Sequence, residues 1–526
     1  MKNTLLKLRW LLALPLLLAG NAQAQTGGQV TFSEHIAPLI YNHCTSCHRT
    51  GEVAPFPLTS YAEVVSHAQT IQWVTGTKYM PPWKPDANYK HYLDENTLTD
   101  AEIQRISDWV NNGTPQGNPA LEPAVPTFPS GSQLGTPDLV IPMQQRFTHQ
   151  GNGQDMYRIF VLPVNLPADR DIAAIEFRPG NKSIVHHAII GLDTTQQAQA
   201  LDAADAGYGY TQFGGFGFEP VETNFGGWVP GSQARFFPAG LGKKLYRRAS
   251  ILLQVHYGPN FITQTDSSVI NIFYARQPVT RYVQTLPVIS PQTLTNGPFV
   301  IPAGQQTTFR TQLLVPFDVS LLSVLPHAHL LGKKWKIWAV KPNGDTIRLV
   351  KINDWDFRWQ GNYRFTNLLR VPAGSRLQAE ATYDNTAQNP RNPFSPPQQV
   401  VWGESTTAEM LLSYFDVIPY RAGDESVVLS INPSVVPAPN YTHLSVFPNP
   451  SSAAKATASF QLERPGAVTI SLYDEMGKLA RVMTQARKLP AGSQQVPLDL
   501  SGLAAGMYFL RLATPEFSHS EKLVIK

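Results

Sequence analysis

The spacing of apolar positions changes along the chain, and the changes mark out its parts. The first 24 residues join a basic start (Lys2, Lys7, Arg9) to an apolar run from Trp10 to Ala19 and the small-residue pattern Ala22-Gln23-Ala24. That run is too short to cross a bilayer, and it predicts a signal peptide over 1–24, cleaved after Ala24. From 30 to 118 the apolar residues recur at helical spacing. In T-D-A-E-I-Q-R-I-S-D-W-V-N-N-G, Thr99 is placed to cap a helix and Glu102 follows at the third position. Ile103, Ile106 and Val110 share a face, and Gly113 stops the run. Residues 119–137 have neither period and are rich in proline, which predicts an extended linker.

From 138 to 422 the period becomes two. Y-R-I-F-V-L-P-V, I-A-A-I-E-F-R, S-I-V-H-H-A-I-I, S-I-L-L-Q-V-H-Y, V-I-N-I-F-Y-A-R and R-L-Q-A-E-A-T-Y read as strands between Pro, Gly and Asn. K-W-K-I-W-A-V passes through K-P-N-G-D into T-I-R-L-V-K-I, a hairpin centred on Asn343-Gly344. This length suits two sandwiches, 138–278 and 279–422. F-P-A-G ahead of L-Q-V-H-Y and V-P-A-G ahead of L-Q-A-E-A-T-Y hint at two similar halves. Residues 440–526 alternate again, after a Pro-rich stretch near 432–440. The predicted fold is multidomain: a small all-α domain, two all-β sandwiches and a small C-terminal β-sandwich.

At 526 residues, with 42% hydrophobic and 15% charged residues, the chain is globular rather than disordered. Its formal charge of +4 sits largely in the signal peptide. A remainder close to neutral argues against nucleic acid or an acidic membrane as partner. No later apolar run reaches the length of a spanning helix, so no transmembrane segment is expected.

Export gives the two cysteines meaning, because Cys44 and Cys47 cannot make a disulfide framework. They stand in Cys44-Thr45-Ser46-Cys47-His48, in which two thiols can bond haem vinyl groups while the imidazole ligates the iron. A thioredoxin-type C-x-x-C needs a strand–helix context that is missing from the sequence around it. Met80, in K-Y-M-P-P-W, is the candidate sixth ligand, with His67 and His91 as rivals. The segment resembles class I cytochrome c domains over roughly ninety residues. That resemblance implies an all-α cytochrome c domain at 30–118, with Cys44 and Cys47 binding haem c covalently, His48 proximal and Met80 distal.

Five of the 13 histidines lie in three apolar, strand-like runs. His327 and His329, in L-P-H-A-H-L-L-G-K, face the same way in an extended segment and can grip one metal ion. His186 and His187 are adjacent in I-V-H-H-A-I-I, His256 lies in L-Q-V-H-Y-G, and Met410 lies in A-E-M-L-L-S-Y. Neighbours on a regular strand face opposite sides, so His186 and His187 can share a metal only at a bulge, at a strand end or through different ring nitrogens. Spacing alone leaves open surface histidines and a core methionine. A two-imidazole, one-thioether set selects copper over zinc.

The ordered motifs V-H-H-A, W-V-P-G-S-Q-A-R-F-F-P-A-G-L-G, L-Q-V-H-Y-G, P-H-A-H-L-L-G-K and E-M resemble the copper type II, ascorbate-dependent monooxygenases, the family of peptidylglycine and dopamine hydroxylases. The resemblance implies two jelly-roll sandwiches with a solvent cleft between two copper ions. It assigns His186, His187 and His256 to an electron-relaying copper, and His327, His329 and Met410 to the copper that activates dioxygen. It departs in two ways. The central region has no cysteine, and Leu325 stands where the peptidylglycine enzymes carry a carboxylate-binding arginine, which argues against glycine-extended peptides. A tyrosine that follows the methionine in the family is kept as Tyr414.

F-P-N-P, L-Y-D-E-M-G and L-A-A-G-M-Y-F-L-R resemble the C-terminal sorting domain of type IX secretion substrates over 440–526. That implies the type IX machinery as partner and a secreted or surface-attached product. The expected function is a secreted copper monooxygenase acting with dioxygen on a small organic or peptide-like substrate. Electrons would come from ascorbate or a protein donor, or through the fused haem. The alternatives are a surface haem/copper electron-transfer or copper-binding protein without substrate oxidation, and a lytic or adhesive surface protein whose histidines are structural.

Overall fold

The computed structural model describes residues 29–128, 131–230, 232–429, 441–452, 454–462, 465–474, 479–514 and 518–526. The expected signal peptide at 1–24 and the Pro-rich stretch 432–440 lie outside these residues. The chain divides into two compact units, 1–430 and 431–526.

The first unit begins with short helices, Ala37–His43, Tyr61–Ser66, Ala68–Gly76 and Asp100–Asn111. The last forms for the reason its sequence gives. Thr99 accepts the Glu102 N–H, the Glu102 carboxylate accepts the Thr99 N–H, and Gly113 follows at φ +81°. Phe32, Ile36, Ile40, Val64, Ile106 and Trp109 close a small core. Full burial of Phe32 and Ile36 contributes about 1.5–3 kcal/mol each. The stretch expected as a linker is fastened down: the Tyr41 hydroxyl donates to Glu122 at 2.7 Å, and the Arg49 guanidinium lies 3.7 Å above the Phe128 ring.

Next come two pairs of packed sheets. In the first pair one sheet runs Leu139–Pro142, Val269–Tyr274, Arg170–Arg178, Leu241–Leu245, Arg281–Tyr282. The other runs Tyr210–Thr211, Met156–Pro163, Ser250–Tyr257, Val185–Asp193, Glu222–Trp228. Between them Phe160, Leu162, Ile190, Leu253, Val255 and Ile270 are buried. In the second pair the sheets run Gln284–Ile289, Leu412–Pro419, Val319–His327, Tyr363–Val371, and Gln306–Leu314, Arg376–Asp384, Gly332–Val340, Thr346–Ile352. Trp335, Ile337, Phe365, Tyr383 and Phe415 fill their core. Every strand read from period two is present, and so is the Asn343-Gly344 hairpin. The two P-A-G repeats are not equivalent in place. V-P-A-G leads directly into Arg376–Asp384, whereas F-P-A-G leads into Leu241–Leu245, one strand before Ser250–Tyr257.

The helical domain is attached to both sandwiches. On the second, the segment after Met80 lies along Thr346–Ile352 and the start of Tyr363–Val371. Pro85 bridges Ile352, Lys351 donates to Asp86 at 2.9 Å, the Tyr92 hydroxyl donates to the Leu349 carbonyl at 2.7 Å, and the Leu93 N–H donates to the Arg364 carbonyl. On the first, Lys182 pairs with Glu52 at 2.6 Å and donates to the Gly51 carbonyl at 3.0 Å.

In the second unit, a three-stranded sheet (Tyr441–Phe447, Lys455–Leu462, Gly492–Asp499) and a four-stranded sheet (Leu479–Leu489, Gly466–Asp474, Gly506–Ala513, Ser518–Ile525) enclose Phe460, Ile470, Leu472, Leu510 and Leu523. This is the small C-terminal β-sandwich expected from the alternation.

Candidate metal centre

The first histidine set is built on a bulge. Val185–Asp193 pairs antiparallel with Ser250–Tyr257, but the register runs from Val185↔Tyr257 to His187↔His256, so His186 is the extra residue. That inserted residue turns both neighbouring imidazoles to one side. Nδ1 of His187 lies 3.2 Å from Nδ1 of His186 and 3.3 Å from Nδ1 of His256. Such separations match the edge of a tetrahedron around an ion with bonds of about 2.0 Å. His256 Nε2 lies 2.7 Å from the Asp155 carboxylate, and the Tyr157 ring stacks on the same imidazole at 4.2 Å and 6°. An anionic acceptor at Nε2 places the proton there and leaves the Nδ1 lone pair free. Burial, with His256 adding, holds His186 down to about 4, and burial keeps His187 well below its ordinary value. Both are therefore neutral at physiological pH, the form that binds metal.

The second set uses the opposite ring nitrogens. His327 ends the strand Val319–His327, His329 follows it, and their rings lie 5.2 Å apart at 87°. His327 Nδ1 lies 2.6 Å from the Gln360 side-chain oxygen and His329 Nδ1 lies 3.1 Å from the Ala408 carbonyl, so each donates there and keeps Nε2 free. Burial lowers His327 to about 4; burial and His327 lower His329 to about 3. Met410 lies two residues before Leu412, the register partner of His327. Glu409 fixes it there. Its carboxylate, 0% exposed, accepts the N–H of His329 at 2.8 Å, of Leu331 at 2.5 Å and of Met410 at 3.1 Å. Burial pushes Glu409 up to about 8. Tyr414 lies directly across from Leu325, and burial, with Glu404 adding, raises its hydroxyl to about 12.

The two sets meet at Phe357. Its ring stacks on His186 at 5.1 Å and 23°, and meets the edge of His329 at 5.5 Å and 79°. A small cavity beside it is lined by His186, His187, Val229, Pro230, Phe357, Arg358 and Gln360. Asp155, Phe357, Gln360 and Glu409 were not found from the sequence. Glu409 adjoins Met410, and the aromatic, charged D-W-D-F-R-W-Q stretch fits no strand pattern, which was the available signal for Phe357 and Gln360. Asp155 carried none.

In the helical domain the Cys47 and His48 N–H groups donate to the Cys44 carbonyl, winding the motif into one turn. Both thiols are free; burial pushes Cys44 up to about 12 and also raises Cys47. His48 donates from Nδ1 to the Phe56 carbonyl at 3.1 Å, leaving Nε2 for a metal. Beside it Phe56 stacks on His67 at 3.7 Å. Met80 lies in the loop after Ala68–Gly76, its N–H on the Val74 carbonyl, and His91 pairs with Glu95 at 2.9 Å.

Comparison with known proteins bears on the second sandwich and the C-terminal unit. Residues 304–427 match the family described as copper type II ascorbate-dependent monooxygenase, C-terminal domain. That span contains His327, His329, Met410 and Tyr414; His186, His187 and His256 precede it. Residues 445–526 match the secretion system C-terminal sorting domain, which directs the protein to the cell surface. No curated protein matches the chain. Among solved structures, the β-glucuronidase of Parabacteroides merdae is 14% identical, with 42% of this chain and 28% of that one covered, at a TM-score of 0.12. The β-glucuronidase of Faecalibacterium prausnitzii is 10% identical, with 43% and 38% covered, at 0.13. The adhesin domain of Epf from Streptococcus pyogenes is 9% identical, with 43% and 74% covered, at 0.13. The chain thus spans well under half of either glucuronidase, and these likenesses say nothing of its function. Among the described residues no helix is long and apolar enough to cross a membrane.

Proposed function

We propose that the exported chain is a copper monooxygenase that hydroxylates a C–H bond with dioxygen, His186, His187 and His256 holding one ion and His327, His329 and Met410 the other. The observation that carries this is the approach of the two histidine sets at Phe357, which touches His186 from one sandwich and His329 from the other, with the second set inside the monooxygenase-like span. The donors fit copper: imidazoles, of which His256, His327 and His329 each have one nitrogen anchored and one free, and a thioether on the second side. Bound copper would supply one-electron steps and the activation of dioxygen.

The protein's own groups do the positioning. Asp155, Gln360 and the Ala408 carbonyl orient imidazoles, Glu409 ties His329 to Met410, and Phe357 packs against His186 of one set and His329 of the other. Leu325 gives Tyr414 an apolar neighbour, which suits a substrate without a carboxylate.

The helical domain fits haem c in its donors: two free thiols three apart, and His48 with Nε2 available. Cys44, Cys47, His48 and Met80 would hold it, and it would supply one-electron storage. The Lys182–Glu52 pair fastens this motif to the strand entry four residues before His186. Ascorbate or a protein is the electron donor in this reading.

The test is the metal content of the purified, signal-cleaved protein with His327→Ala as control. Two coppers per haem, one lost in the variant, support the proposal; no uptake under copper-replete conditions overturns it. A second reading, a surface electron-transfer or copper-binding protein, is favoured by Phe357 packing against one imidazole of each set. Oxygen consumption without a consumed organic substrate would select it.

A further inference from the structure

We propose that Asp155 is a positioning residue that makes the two metal sites unequal, so that the His186, His187 and His256 site favours the divalent ion and the His327, His329 and Met410 site the monovalent one. The proposal rests on the copper reading above and adds a direction to it.

The inequality lies in what each imidazole leans on. His256 is 1% exposed and its Nε2 lies 2.7 Å from a carboxylate that is itself only 20% exposed. A negative charge one imidazole away from the ion, in a poorly solvated place, strengthens the nitrogen as a donor and stabilises the higher metal charge. Tyr157, stacked on the ring, and the pairing of His256 with His187 keep the imidazole from turning away. On the other side the partners are neutral, the Gln360 amide oxygen for His327 and the Ala408 carbonyl for His329. Glu409 is nearby, but its oxygens are taken by the backbone N–H groups of His329, Leu331 and Met410 rather than by an imidazole. Met410 adds a soft, uncharged thioether, which prefers Cu(I).

The experiment is a redox titration of the copper-loaded full chain, followed by the electron paramagnetic resonance of Cu(II), on the wild type, Asp155→Asn and Asp155→Glu. His327→Ala supplies the spectrum of the first site alone. The first site is expected to have the lower midpoint in the wild type. Asp155→Asn should cut its preference for Cu(II) over Cu(I) at least tenfold, about 59 mV for one electron. The second site should not move, and Asp155→Glu should keep most of the wild-type value. Equal midpoints in the wild type, or an Asp155→Asn change that moves both sites or neither, overturns the proposal. If Asp155→Asn fails to fold, Asp155→Glu still decides: a first-site midpoint that stays below the second supports the proposal, and equal midpoints in the wild type overturn it. Absence of bound copper in the wild type would instead remove the copper reading itself.

Discussion

Glu409 receives the N–H of His329 and the N–H of Met410 on the same carboxylate oxygen, Oε2. One buried side chain thus fixes the spacing between two segments eighty residues apart in sequence. Replacing it with alanine leaves three buried N–H groups unpaired, each worth about 1–3 kcal/mol. Glu409→Ala should lower stability by roughly 3 kcal/mol or more in denaturant titration, and Glu409→Gln by less. Cu(I) affinity at the Met410 site should fall in the alanine variant while the His186 site keeps its metal.

Phe357 touches one imidazole of each set and is a ligand in neither. Phe357→Ala should cost about 3 kcal/mol, as for other large-to-small core changes, yet leave copper stoichiometry unchanged by elemental analysis. Both Cu(II) spectra should shift as water enters. Loss of one copper would mean that the ring supports a ligand directly.

The buried histidines predict an acid-sensitive metal-free protein. His186 and His327 are held down to about 4 and His329 to about 3. The unfolded chain binds protons through about pH 6.5, and the folded chain does not until about pH 4. Stability is therefore lost as pH falls across that window, by on the order of 2 kcal/mol per histidine. Melting of the metal-free protein at pH 7.5 and pH 5 checks this. The drop should be smaller in His327→Ala, and copper uptake should stay nearly level down to about pH 5 because few protons must be displaced.

Lys182→Glu sets two carboxylates against each other where Lys182 and Glu52 now pair at 2.6 Å. The expected cost is about 1.5–3 kcal/mol, that of a charged hydrogen bond. Amide exchange around Cys44–Glu52 should quicken, while exchange along Thr346–Ile352 stays slow because Asp86 and Tyr92 still hold there. Uniform quickening across the first unit would instead indicate general unfolding.

Much of this was legible in the sequence. Period two located the strands, the Thr99–Glu102 box located a helix, and the histidines were singled out with the correct objection to adjacent residues on one strand. The bulge at His186 answers that objection, but no local signal announces it, because it depends on register with a strand seventy residues away. Asp155, Gln360 and Glu409 escaped for the same reason: their partners come from other strands and loops. Gln306–Leu314, Val319–His327 and Tyr363–Val371 are less uniformly buried on one side or carry polar residues inward, such as Ser320 and Ser323, so their alternation was blurred.

The attachment of the helical domain at two places has a mechanical meaning. Glu52 grips the sandwich that carries His186, and Asp86 and Tyr92 grip the sandwich that carries His327. A compact body bolted to both sides of a seam acts as a strut. Together with the direct Arg281–Asp424 pair between the sandwiches, that strut resists the two halves of the centre swinging apart, although it contributes no residue to the centre.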